Sequence, residues 1–326
     1  METLVRFALL AATAVCLGAV APGVQAQNWP TRPVRIIVPF APGGTADTVG
    51  RVVAEQLSEI FKQRFVVENR AGGGGLVGSA LVARAAPDGY TLVVSGIASH
   101  VVAPAINPSA NYDPIADFTH IAPFGGPPIA IAVNPAIEAT TLKEFEEHVR
   151  QSKTPMSYGS PGAGTHGHLI CEAYLQKSGL KMQHIAYKGG AAAMTDLIAG
   201  HIPASSNTLT SAAPHIRSGA ARPLAVTAPT RLKAFPDIPT FAELGHPDLV
   251  ATTWFGLSGP AGIPQDIVER LNTEVVRVLA MPQVKERLEK DAVVSEAMTA
   301  AQFTEFVSAE IKRWTPIARA SGAQPE

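Results

Sequence analysis

Cysteine is almost missing from this chain of 326 residues: there are two, Cys16 and Cys171. Cys16 falls in a leader-like segment, so one thiol is left for the mature protein and no disulfide can form within it. That excludes a small secreted scaffold stapled by bridges, and the fold must be held by its core. Cys171 reads as a small buried apolar residue. Net charge is missing too: 26 Lys and Arg oppose 27 Asp and Glu. No basic stripe interrupts that balance, which excludes nucleic acid as a partner. Beyond the leader no apolar run is long enough to span a bilayer. The nucleoside-triphosphate motif G-x-x-x-x-G-K-[ST] occurs nowhere.

What is present begins with that leader. Residues 1–6 carry one Arg against Glu2, residues 7–20 are apolar, and "VQA" (24–26) puts small residues at the two positions that determine cleavage. Cleavage is expected after Ala26, leaving a mature chain of 300 residues that starts at Gln27 and is exported to the periplasm. Cys16 follows "TAV", a poor context for a lipoprotein.

The mature chain opens as β-α-β-α-β. "VRIIVPF" (34–40), "FVVE" (65–68) and "TLVVSG" (91–96) read as strands, and residues 46–61 and 75–86 as helices. Such an alternation implies a parallel sheet with right-handed crossovers. A second set follows, with strands at 129–135, 156–160, 184–190 and 222–228 and helices at 141–152, 165–177 and 191–200. Residues 252–264 read as extended, and the remainder as helix, including 299–314, opened by a Thr-x-x-Gln capping box. Two α/β lobes are expected: 27–127 with 250–326, and 128–249. The chain would cross between them near 124–130 and 248–256, with the helical tail packed on the first lobe.

Chemistry concentrates in glycine loops that follow strands and open helices. In "VPFAPGGTADTVGR" (38–51), Gly43 and Gly44 permit φ > 0 and close backbone approach, and Thr45 and Asp47 are placed to cap the helix. Amides at a helix start need partners and attract an anion. "YGSPGAGTHGHL" (158–169) repeats the arrangement with Ser160, Gly162, Gly164 and Thr165, and "YKGGAAAM" (187–194) adds the amides of Gly190 and Ala191. One major loop per lobe suggests an anion gripped across a cleft. His166 and His168 are two apart, the wrong spacing for a helical pair of metal ligands, and no metal is expected. "GGGLVG" (73–78) fits G-x-G-x-x-G, yet Ser95 stands where a dinucleotide site needs an acid, so no such cofactor is expected. A nucleophile elbow around Ser160 would need Gly where Tyr158 stands.

With these loops in register, the chain resembles the receptors of tripartite tricarboxylate transporters, the Bug (Bordetella uptake gene) or TctC-like family. "WPTRPVRIIVPFAPGGTADTVGR", "VVENRAGGGGLVGS", "APDGYTL", "YDPIADFTHIA", "YGSPGAGTHGHL", "YKGGAAAMTDLIAGHI", "RPLAVTAPTRLKAFPDIPTFAELG" and "WFGLSGPAGIP" carry the resemblance across the mature chain. It implies a two-lobed periplasmic-binding-protein-like α/β fold (type II) that closes on its ligand. It implies no catalysis and no cofactor. A carboxylate ligand would be held by Ala41, Gly43, Gly44, Thr45 and Asp47 of one lobe, and by Ser160, Gly162, Gly164, Thr165 and His168 of the other. The partners implied are a small organic carboxylate and the membrane permease subunits, with the receptor itself a monomer. One departure is visible: such receptors often read Gly-x-Val-Asp after the "YKGG" helix, and Pro203 stands here in place of the Asp. That departure leaves the ligand's identity open, because residues 205–207 would border the far end of the pocket. The reading from another class is a secreted α/β hydrolase using Ser160 and His168.

Overall fold

A computed structural model describes residues 29–290 and 292–322. The leader and its cleavage site lie outside the described residues.

Two five-stranded sheets organise the described chain. The first is built from β1 (Val34–Val38), β2 (Phe65–Asn69), β3 (Thr91–Gly96), β4 (Phe118–Gly125) and β10 (Phe255–Pro260), in the order β2-β1-β3-β10-β4. The second holds β5 (Ile129–Val133), β6 (Ser157–Ser160), β7 (Gln183–Ala186), β8 (Ala204–Thr208) and β9 (Arg222–Val226), in the order β7-β6-β8-β5-β9. The βαβ units are parallel, as β2-β1-β3 and β7-β6-β8. Each sheet also takes antiparallel strands, β10 with β4 in one and β5 with β9 in the other, so both are mixed rather than parallel. The reason lies in the connections: β10 and β5 enter from the opposite lobe, and strands that arrive without a crossover helix run antiparallel.

Helix α1 (Thr45–Phe61) buries Val49, Val52, Val53, Leu57 and Phe61 and exposes Arg51, Glu55 and Glu59. That stripe has helical spacing, and it lays α1 on the sheet closely enough that a Cβ at Gly50 would meet Val94 at 3.1 Å. Helix α2 (Leu76–Ala83) follows a glycine turn. A π-helical segment (Ala98–Val102) runs into α3 (Ala103–Ile106). In the second lobe, α4 (Leu142–Gln151), α5 (His166–Ser178), α6 (Gly190–Ile198) and α7 (Leu209–Arg217) cover the sheet.

Two strand-like segments cross between the lobes and touch. Thr253 N donates to Pro127 O at 2.9 Å, and Gly126 and Val294 exchange two bonds of 2.9 Å. A side chain at Gly126 would collide with Thr253 O, so the close approach requires glycine. The last helices are α8 (Gln265–Ala280), α9 (Pro282–Lys290) and α10 (Ala300–Ala320). Along α10, Phe303, Val307, Trp314 and Ala318 share one core with Val101 and Val102 of the first lobe and with Leu169 and Ile170 of the second. The tail therefore spans both lobes instead of serving the first alone. It also continues through Pro316, past the expected end at 314, because Trp314 and Ala318 are fully buried and packing outweighs the helix-breaking residue.

Candidate functional site

A cavity of about 780 Å³ opens between the two sheets. Its size suits a small metabolite. From the first lobe come residues 39–45, Thr48, the run 71–75 and the segment around Val102, Ile106 and Asn107. From the second come residues 161–165, 187–191 and the start of α7.

Ala41, Gly43, Gly44 and Thr45 line the cavity. Gly43 has φ +82°, whereas Gly44, the N-cap of α1, sits at φ −80°. The expectation of left-handed backbone thus holds for Gly43 and not for Gly44. A Cβ on Gly44 would find no atom nearer than Ala41 O at 3.9 Å. Glycine at this position keeps space open over the helix start. Neither Thr45 nor Asp47 caps α1, and the helix has no side-chain cap at all. Asp47 lies behind the loop, 4 % exposed, and its carboxylate accepts from Gly43 N (3.0 Å), Arg51 Nε (3.0 Å) and Asn69 Nδ2 (2.9 Å). Burial pushes its pKa up, but the bonds from Arg51, Gly43 and Asn69 outweigh burial and hold it below the usual value. Asp47 stays ionised and ties the loop down.

In the second lobe, Gly162, Gly164 and Thr165 line the cavity. Thr165 is the N-cap of α5, but its hydroxyl donates to Gly162 O (2.8 Å) and leaves the helix amides uncapped. Gly164, at φ +71°, faces the first lobe directly: a Cβ there would come within 2.9 Å of Val102 and 3.4 Å of Ile106. Ser160 and His168 lie behind this loop, fully buried and 2 % exposed. Ser160 Oγ bonds to His184 Nε2 (2.7 Å), not to His168, whose Nδ1 accepts from Gly164 N (3.0 Å). The Ser160–His168 pair of the hydrolase reading is not formed.

Gly190 and Ala191 line the third corner at the start of α6, whose N-cap Gly189 (φ +113°) donates its amide to Pro161 O at 2.9 Å. Helix α7, also without a side-chain cap, presents Thr210, Ser211, Pro214 and His215. Four helix starts therefore lead towards one cavity with no side-chain cap. Away from it, α4 and α10 carry complete capping boxes, at Thr141–Glu144 and Thr299–Gln302, whereas α8 has no side-chain cap. Uncapped amides carry partial positive charge. Lys188 adds a full charge, no Asp or Glu lines the cavity, and Lys188 has no ion-pair partner among the described residues. The arrangement is suited to an anion and is built chiefly from main chain.

Sequence reasoning missed several lining residues. Glycines 72–75 all have positive φ and form one wall, where the sequence shows a G-x-G-x-x-G (73–78) without its acid and a stretch of the family resemblance but no site residue. Lys188 lies in the "YKGG" segment and lines the cavity, with no signal beyond its charge to mark it. Segment 98–107 and α7 carried no signal. No group of three or more metal-ligating side chains occurs among the described residues. Residues 205–207 do not border the cavity; they form β8 inside the second sheet and are buried.

Three comparisons bear on this geometry. The pattern of the tripartite tricarboxylate transporter family receptor matches residues 49–323. Protein BugT of Bordetella pertussis is 32 % identical over 311 residues, covering 95 % of each chain. Two solved structures superpose closely. One, described as R. palustris Rpa4515 with adipate, is 31 % identical with a TM-score of 0.83 and covers 91 % of this chain and all of that one. The other, MatC from Rhodopseudomonas palustris with bound malate, is 30 % identical with a TM-score of 0.79 and covers 89 % of this chain and all of that one.

Proposed function

The chain belongs to the tripartite tricarboxylate transporter receptor family, and from that premise we propose that it is a periplasmic receptor for a small organic carboxylate. The observation that carries this reading is the convergence of four helix starts without side-chain caps, and of Lys188, on a cavity with no acidic lining. A carboxylate entering it meets the amides of Gly44 and Thr45 on one side and of Gly190 and Ala191 on the other, while the amides of Gly43, Gly164 and Thr165 are spent on Asp47, His168 and Gly162 and shape the loops around it. Each lobe supplies part of the anion's hydrogen bonds, so the ligand favours the closed arrangement. Asp47, Ser160 and His168 act from behind by holding the loops. The lobe limits 27–127 with 250–326, and 128–249, belong to this proposal, as do release of the ligand to a membrane permease and action as a monomer. Adipate and malate, held by the two related structures, set the first compounds to try. Receptor action predicts that the ligand leaves as it arrived. Native mass spectrometry of protein released from the periplasm should find a small acid whose mass is unchanged after hours of incubation. Conversion of that acid would instead support an enzyme.

A further inference from the structure

The second-lobe loop rests on a pair of stacked histidines that the anion argument leaves unexplained. The rings of His168 and His184 lie 3.8 Å apart and within 10° of parallel. His184, on β7, bonds Ser160 Oγ (2.7 Å), which in turn accepts from Gly162 N (3.2 Å). His168, on α5, takes the amide proton of Gly164 at Nδ1 (3.0 Å). Both amides belong to the loop that lines the cavity.

His168 is the third residue of α5. In a capping box, a Glu or Gln at that position reaches back to the main chain before the helix. His168 performs that reach with a ring nitrogen, and onto Gly164, one residue before the N-cap. Asp47 makes the equivalent reach in α1 with a carboxylate, onto Gly43 N; His168 makes it with a ring nitrogen. Gly164 is also the residue of this loop that abuts Val102 and Ile106 across the cleft.

We propose that His168 is a positioning residue of the binding loop: its neutral ring, seated on His184, holds the Gly164 amide and so fixes the loop for the anion and for contact with the first lobe. The inference rests on the receptor reading for its purpose, but not for its geometry. Accepting at Nδ1 puts the ring proton on Nε2, which faces Glu172 Oε1 at 3.9 Å. The groups around the ring are His184 from β7, Glu172 from its own helix and Tyr158 from β6, whose hydroxyl donates to Glu172 Oε1 at 2.6 Å. Burial, then the neighbouring His184, keeps the His168 pKa down at about 3, so the ring is neutral and its lone pair is free to accept.

Amide hydrogen exchange of ligand-free protein tests this, read at Gly164 with the Gly43 amide as an internal control. His168→Leu should speed exchange at Gly164 by on the order of tenfold, the factor for one lost hydrogen bond, and leave Gly43 unchanged. His168→Asn places its side-chain oxygen where Nδ1 sits and should recover most of the protection. His168→Val has no acceptor and should resemble Leu. Equal protection in wild type and His168→Leu would overturn the proposal, as would Asn behaving like Val. If His168→Leu does not fold, the Asn and Val pair decides. Because no ligand is added, failure here is separate from failure of the carboxylate reading, which a lack of binding by the wild type would expose.

Discussion

Gly43 and Gly44 are adjacent, line the same cavity and are glycine for different reasons, so substituting them should separate folding from binding. Gly43 has φ +82° with no atom within 4 Å of a built Cβ. Gly43→Ala therefore meets no clash but takes the left-handed conformation, which costs about 1–2 kcal/mol of stability. Gly44 has φ −80° and faces open space, so Gly44→Val needs no backbone strain. The main folding cost is a poorer N-cap, about 1 kcal/mol or less. Its branched side chain, however, stands over the amides that start α1. Denying the ligand two charge-assisted hydrogen bonds, each about 1.5–3 kcal/mol, weakens affinity by about 3–6 kcal/mol, at least a hundredfold. The assays are thermal melting for stability and calorimetry for affinity, using whichever acid of a carboxylate panel binds the wild type. Gly43→Ala should melt several degrees lower and Gly44→Val should bind poorly. Wild-type affinity in Gly44→Val would refute the placement of the anion at this helix start.

Lys188 is the one Lys or Arg among the cavity's described lining residues. Lys188→Gln should lower affinity by roughly twofold to tenfold and flatten its salt dependence; an unchanged salt slope would place the ligand out of its reach. Acid should destabilise the fold through buried histidines. Burial holds His120 near 4 and His166 near 3, and keeps His100 well below its ordinary value. These groups are neutral when folded and titrate near 6.5 when unfolded, so their contribution is full above that pH and is lost as pH falls towards the folded values. At pH 5 the loss is about 2 kcal/mol for each. Chemical denaturation at pH 7.5 and pH 5 should show it, and equal midpoints would count against neutral burial.

Most of the first lobe was legible because its elements carry periodic apolar residues. Strand β3 matches its expected bounds and α1 begins one residue early. What failed lacked that signal. β8 reads "ASSNT", and its Ser205, Ser206 and Asn207 are buried between β6 and β5. Nothing in so polar a stretch announces a central strand; its main chain pairs with β5 and β6, while the buried hydroxyls of Ser205 and Ser206 find no partner. β4 contains Pro123 and ends on Gly125, residues that argue against a strand; the pairing shifts register beside Pro123 where it meets β10. The glycine loops themselves were visible, since Gly after a strand marks a helix start near a ligand. Which residues face the cavity was not. Asp47, Ser160 and His168 carry polar groups suited to a ligand, yet all three spend them on the loops' own main chain. Only three-dimensional placement separates a group that touches a ligand from one that holds the group that does.

The central claim is that main-chain amides at helix starts from both lobes hold a carboxylate. The direct measurement is calorimetry of the best-binding acid against its primary amide at neutral pH. The two share shape and differ in charge. The amide should bind at least a hundredfold more weakly, because uncapped helix starts and Lys188 gain little from a neutral group. Equal affinity of acid and amide would contradict the account.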